Sequence, residues 1–165
     1  MSDSQAEQPI TMFEGMRRLA SGVSVVTAND RRGERYAMTA TSVSSLSGEP
    51  PSLLVCINRD ARIDAAMDST PFFCVNLLGP KHKQISINCS TPERGDSRFE
   101  HGFWINDEQT GVYYLGDAQA VFFCEKQQQH SYGTHHIYIG NVLRTQVAPG
   151  TPEILAYLNG QYLYL

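Results

Sequence analysis

Short apolar runs alternate along the chain with polar breaks marked by glycine or proline, and the runs are mostly too short for helices. Phe13, Met16, Leu19 and Ala20 recur at helical spacing with Arg17 and Arg18 opposite, which predicts a helix ending at Ser21-Gly22. Val23–Thr27 is β-branched and reads as a strand, followed by a hairpin turn at 29–33. Tyr36–Ser45 reads as one further strand, and Gly48-Glu-Pro-Pro51 breaks the pattern because two prolines cannot both donate to a ladder. The continuous apolar runs Leu53–Ile57 and Phe72–Leu78 predict strands covered on both faces. Helices are expected over Ala61–Met67 and Lys81–Cys89, and a long mobile loop over Thr91–Gly102.

Three more strands follow, at Val112–Leu115, Gln119–Gln128 and His136–Val147, with connections short enough for antiparallel pairing. Asn159-Gly160 inside Leu155–Tyr164 is a two-residue hairpin signal. The sum predicts a mainly β protein with peripheral helices, an antiparallel barrel closed or nearly so. Residues 1–10 read as a disordered tail and 11–165 as a single domain.

Composition narrows the function classes. With 13 Lys+Arg against 17 Asp+Glu the formal charge is −4, which argues against duplex nucleic acid as the main ligand. No apolar run approaches the roughly 20 residues of a membrane span, and MSDSQAEQPI does not read as a secretory signal. Cys56, Cys74, Cys89 and Cys124 show neither a CxxC pair nor zinc-ligand spacing, so reduced thiols in the cytoplasm are expected, with no metal site. No GxGxxG, GxxxxGK[ST] or GxSxG motif is present.

Candidate chemistry starts with the segment Thr39, Ala40, Thr41, Ser42, Val43, Ser44, Ser45, whose side chains are small on both faces. Small residues let a flat ring approach the main chain, and hydroxyls with free amides can hold a phosphate; a solvated edge strand has the same composition. Cys56, Asn58, Arg59 and Arg62 follow at the end of an apolar strand and the start of a helix. There, helix amides and guanidinium groups suit an anion, although Asp60 or Asp64 would equally pair with the arginines. His135 and His136 point to opposite faces of a strand, where a histidine serves either the core or a site. The segment Glu93–Phe99 reads as a lid or as an idle loop.

These residues carry a resemblance. Thr39–Ser45, Pro50–Asn58, Cys74–Leu78, Arg98-Phe99 ahead of Trp104, Gly133-Thr-His135 with Ile137–Gly140, and Leu155–Tyr162 stand in the order found in the short-chain flavin reductase family. The branch that includes the reductase component of 4-hydroxyphenylacetate 3-monooxygenase is the most similar in look. The likeness runs from about Phe13 to Leu165. It implies a homodimeric split β-barrel that binds FMN or FAD, oxidises NADH or NADPH, and passes reduced flavin to a separate monooxygenase.

By position, the resemblance puts Thr39–Ser45 along the isoalloxazine, and Cys56, Asn58, Arg59 and Arg62 around the ribityl phosphate. It puts His135 at the nicotinamide, Phe99 on the substrate side, and Tyr162 in the cofactor set. The chain departs from relatives at Arg59-Asp60-Ala61-Arg62, where several have Ser or Thr. It also departs at Asn159-Gly160-Gln161, where basic residues are replaced and a 2′-phosphate clamp would lack charge. Both departures leave flavin and nucleotide preference open. The alternative reading is a flavin-carrying split barrel that reduces nothing.

Overall fold

The computed structural model describes residues 11–165. The expected tail at 1–10 lies outside the described residues. Among those described, helices α1 (Met12–Met16), α2 (Arg62–Ser69) and α3 (Lys83–Ser90) surround twelve strands. The strands are β1 (Ser21–Gly22), β2 (Ser24–Asn29), β3 (Arg35–Ala40), β4 (Val43–Gly48), β5 (Pro51–Asn58), β6 (Phe72–Leu77), β7 (Trp104–Asn106), β8 (Tyr113–Leu115), β9 (Ala120–Tyr132), β10 (His135–Val147), β11 (Leu155–Leu158) and β12 (Gln161–Tyr164). Seven of them form one antiparallel sheet in the order β3-β2-β6-β9-β10-β5-β4; β1-β11-β12 and β7-β8 form two small ones.

The central strands are apolar on successive residues because both their faces are covered. Val25, Cys74 and Phe123 belong to one buried cluster, and their neighbours Val26, Phe73, Val75 and Cys124 to the other. Strand β5 obeys this only in part. Leu53, Val55 and Ile57 are buried, whereas Leu54 and Cys56 between them are half-exposed, so the run predicted to be covered twice is covered once. At β10 the backbone crosses Phe73 so closely that a Cβ on Gly140 would lie 2.6 Å from Phe73 Cζ. No larger residue fits there without moving the ring.

Three further expectations are corrected. Tyr36–Ser45 is two strands, not one: β3 pairs with β2, β4 pairs with β5, and Thr41-Ser42 carries the chain from one end of the sheet to the other. The helix predicted over 13–20 stops at Met16 and buries none of its residues, since no described element covers Phe13, Met16 or Leu19. The polar segment Thr91–Gly102 is largely 3-10 turn over Pro92–Phe99 and is anchored, with Arg98 and Phe99 buried. The Asn159-Gly160 hairpin forms as predicted, with φ of 51° and 78°.

His82 links two elements and fixes a pH dependence. Its Nδ1 accepts the Gly79 N–H at 3.0 Å, and its Nε2 faces Asp117 at 3.3 Å. Burial pushes the imidazole below its usual 6.5, against the pull of Asp117. A protonated ring could no longer accept from Gly79. As pH falls through the ordinary histidine range the unfolded chain takes up a proton that the folded chain resists, so stability falls. Melting temperature is expected to drop between about pH 7 and pH 5, and His82→Gln to flatten that slope in thermal melts. An unchanged slope would place the acid sensitivity elsewhere.

Candidate functional site

The chemistry-bearing segments meet where the seven-stranded sheet is left open. Its two end strands, β3 and β4, are consecutive in sequence, and Thr41 and Ser42 cross the gap exposed to solvent. Ser42 Oγ donates to the Cys56 carbonyl at 2.9 Å, which ties the crossing to β5. Beyond it Val43, Ser44 and Ser45 pair with Val55, Leu54 and Leu53, with a bulge before Ser47. A cleft of about 590 Å³ opens here, lined by small polar residues such as Ser24, Thr41 and Ser45 and by the apolar Leu53, Phe122 and Val142. Ser44 and Ser45 are exposed, whereas Ala40 is buried.

A second cavity of about 390 Å³ lies at the end of β5 and the start of α2, lined by Met38, Asn58, Arg62, Ser90 and Arg98 among others. Asn58 Oδ1 accepts the Asp60 N–H at 2.9 Å and the Asn58 carbonyl accepts the Ala61 N–H at 2.9 Å, which sets the turn into the helix. Ala61 offers no side-chain cap, so no capping side chain occupies the first amides of α2. Arg62 pairs with Glu34 only at 3.7 Å, and both are more than half exposed. Cys89 also lines the cavity, but burial pushes its thiol to about 12, which suits packing and not nucleophilic chemistry.

The structure brings Asn58 and Arg62 together, and it brings Asn58 beside His135 through strand register. His135 stands opposite both Asn58 and Tyr132, exposed, with Nδ1 2.8 Å from Thr134 Oγ1. Arg59 is exposed on the same turn. Other expected residues serve packing as well. Thr39 donates to the Ser86 carbonyl at 2.6 Å, and Tyr162 bonds Ser86 Oγ at 2.8 Å, so both tether α3. Phe99 is buried between Trp104 and Tyr113, with Arg35 stacked 4.5 Å from its centroid.

Sequence reasoning missed Met38, Ser90 and Arg98 as cavity residues. The signal for Arg98 was present, because an arginine beside a phenylalanine in an otherwise polar loop marks an anchor. Its guanidinium donates to the carbonyls of Ala37 and Thr91, which straps the 3-10 segment over β3.

The chain matches the model of the flavin reductase like domain over residues 16–165. It belongs to that family. The flavin reductase domain is 37% identical over 148 residues to the reductase component of the FADH(2)-dependent resorcinol hydroxylase of Rhizobium sp. strain MTP-10005, covering 89% of this chain and 82% of that protein. It is 34% identical over 166 residues to the NADH-dependent FMN reductase RutF of Agrobacterium fabrum strain C58, covering 100% and 94%. Among solved structures, the flavin reductase component of a bacterial two-component tryptophan halogenase, BorF, superposes with a TM-score of 0.82 at 28% identity, over 91% and 93% of the two chains.

The residues present fit a flavin mononucleotide on two counts. Arg62 and the uncapped start of α2 supply positive potential for a phosphate. The small residues where β3 passes to β4 leave main chain within reach of a flat ring.

Proposed function

We propose that this flavin reductase domain uses NADH to reduce FMN or FAD, with FMN preferred, and supplies the reduced flavin to a separate monooxygenase. The supporting observation is the opening between the sheet ends. Small side chains occupy the crossing, Ser42 ties it to Cys56 near the end of β5, and at that end lies a cavity lined by Asn58, Asp60, Arg62 and Arg98, with His135 opposite Asn58 on the adjoining strand. When bound, the flavin supplies the hydride-accepting chemistry itself. The protein's task is then binding, orientation and exclusion of water.

In this reading the Thr39–Ser45 segment backs the ring, and its main-chain amides stabilise negative charge on the ring's pyrimidine edge. Asn58, Arg59, the Ala61–Arg62 turn and Arg98 hold the ribityl phosphate end. His135 is exposed, unlike a core histidine, and positions the nicotinamide. The absence of basic residues at Asn159-Gly160-Gln161 favours NADH over NADPH.

The domain acts as a homodimer in this proposal. The half-exposed Leu54 and Cys56 on β5 continue into Ile137 and Ile139 on β10, and Leu46 and Leu143 lie exposed at 49% and 53%. Such apolar surface on one side of a sheet suits a second copy. Light scattering is expected to give the mass of two chains; a monomer at micromolar concentration would refute the pairing.

Purified protein mixed with NADH and excess FMN is expected to consume the NADH absorbance catalytically. A protein that turns yellow yet leaves NADH intact would be a carrier and would overturn the proposal. His135→Ala is expected to raise the NADH KM or lower turnover by about 10- to 100-fold without abolishing it. Complete loss in a folded, flavin-binding variant would contradict a positioning role.

A further inference from the structure

Strand alternation puts His135 and His136 on opposite faces of β10, and the site proposed above uses only the first. His136 turns instead toward α2. Its Nδ1 lies 2.9 and 3.0 Å from the two carboxylate oxygens of Asp64, and the carboxylate can only accept, so the imidazole donates from Nδ1. The Tyr138 hydroxyl donates to Asp64 Oδ1 at 2.7 Å and reaches the Asp64 carbonyl at 3.2 Å. Tyr138 is fully buried and Asp64 is 6% exposed. A carboxylate withdrawn from water costs several kcal/mol unless donors surround it, so this one is held in place by its partners.

Apolar packing alone would not need the group. Ile63, Ala66 and Met67 already bury the same side of α2. Contacts of that kind are non-directional and let a short helix slide or turn by a fraction of a residue. The bonds of Asp64 are directional and stop it. At the other end of the helix, Lys126 of β9 donates from Nζ to the carbonyls of Met67 and Asp68, at 2.6 and 2.7 Å. The helix is therefore pinned at both ends to the β9–β10 hairpin. Arg62, two residues before Asp64, has little of its own to fix it. Its Glu34 partner is 3.7 Å away and solvated, and the Tyr36 ring lies 5.9 Å from its guanidinium.

We propose that Asp64, His136 and Tyr138 form a buried clamp that sets the position of α2, and through it the aim of Arg62 at the flavin phosphate. This rests on the phosphate placement proposed above. The three are positioning residues, and none of them touches flavin or nucleotide. The clamp also joins the two ends of the site, since His136 adjoins His135 along β10 while Asp64 adjoins Arg62 along α2. Burial first, and then the Asp64 carboxylate, push the Tyr138 phenol well up, which keeps it a donor.

The test compares the affinities of FMN and riboflavin, measured by flavin fluorescence quenching without NADH. The two ligands share the ring and differ in the phosphate, so their ratio reports the phosphate contact and is insensitive to general loosening. His136→Leu keeps volume and removes the Nδ1 donor. It is expected to weaken FMN by about five- to tenfold while riboflavin changes by less than about twofold. His136→Asn places an amide donor where Nδ1 was, and is expected to restore most of the FMN affinity.

If His136→Leu does not fold, Tyr138→Phe removes one donor and leaves the ring; a loss of about two- to fivefold, confined to FMN, is then expected. Arg62→Ala is the reference. If it fails to lower the preference for FMN over riboflavin, the phosphate placement itself falls. If it lowers that preference while the folded clamp variants leave the ratio unchanged, or weaken both ligands equally, the clamp is overturned.

Discussion

The structure depends on one topological constraint: the two end strands of the main sheet are neighbours in sequence. Strand β3 closes one end of the seven-strand order and β4 the other, so the chain must cross the opening between them at Thr41-Ser42. That crossing belongs to neither ladder. A bulky pair there would fill the opening. Small hydroxyl residues keep it clear, and Ser42 satisfies the Cys56 carbonyl besides. The surrounding elements follow from the need to cover everything except this edge: α2 packs against the cluster around Tyr138, and α3 and the 3-10 segment cover the one around Phe123.

Much of this was legible in the residues. The apolar runs at 53–57 and 72–78 gave strands, Asn159-Gly160 gave its hairpin, and the succession of strands gave an antiparallel sheet. What could not be read was the crossing itself. Thr39–Ser45 has continuous strand propensity, and no local signal says that its halves belong to opposite ends of a sheet, because pairing partners are set by distant strands. The Thr91–Gly102 segment misled for another reason. Its polar composition suggested mobility, but Arg98 spends its charge on two main-chain carbonyls and Phe99 packs beneath Arg35.

The candidate site was visible mostly as types of residue and less as geometry. Asn58 and Arg62 share a cavity and His135 sits beside Asn58, a proximity that came from strand register and not from spacing. Thr39 and Tyr162 proved to be joined through Ser86. A constellation of this kind lacks the acid, base and nucleophile of a hydrolytic centre, and hydride transfer between two bound cofactors requires none of them. The chain's investment lies in holding shapes: an open edge, a helix start aimed by buried hydrogen bonds, and an arginine-strapped loop.

The claim that the opening between β3 and β4 receives the flavin is tested most directly by amide hydrogen exchange with and without FMN. The account predicts that the amides of Thr41 and Ser42, which belong to neither ladder, exchange fast in the free protein and slow on addition of FMN, together with those from Asn58 to Arg62. Protection confined to other segments, or amides at Thr41 and Ser42 already protected without FMN and unchanged with it, would contradict the account.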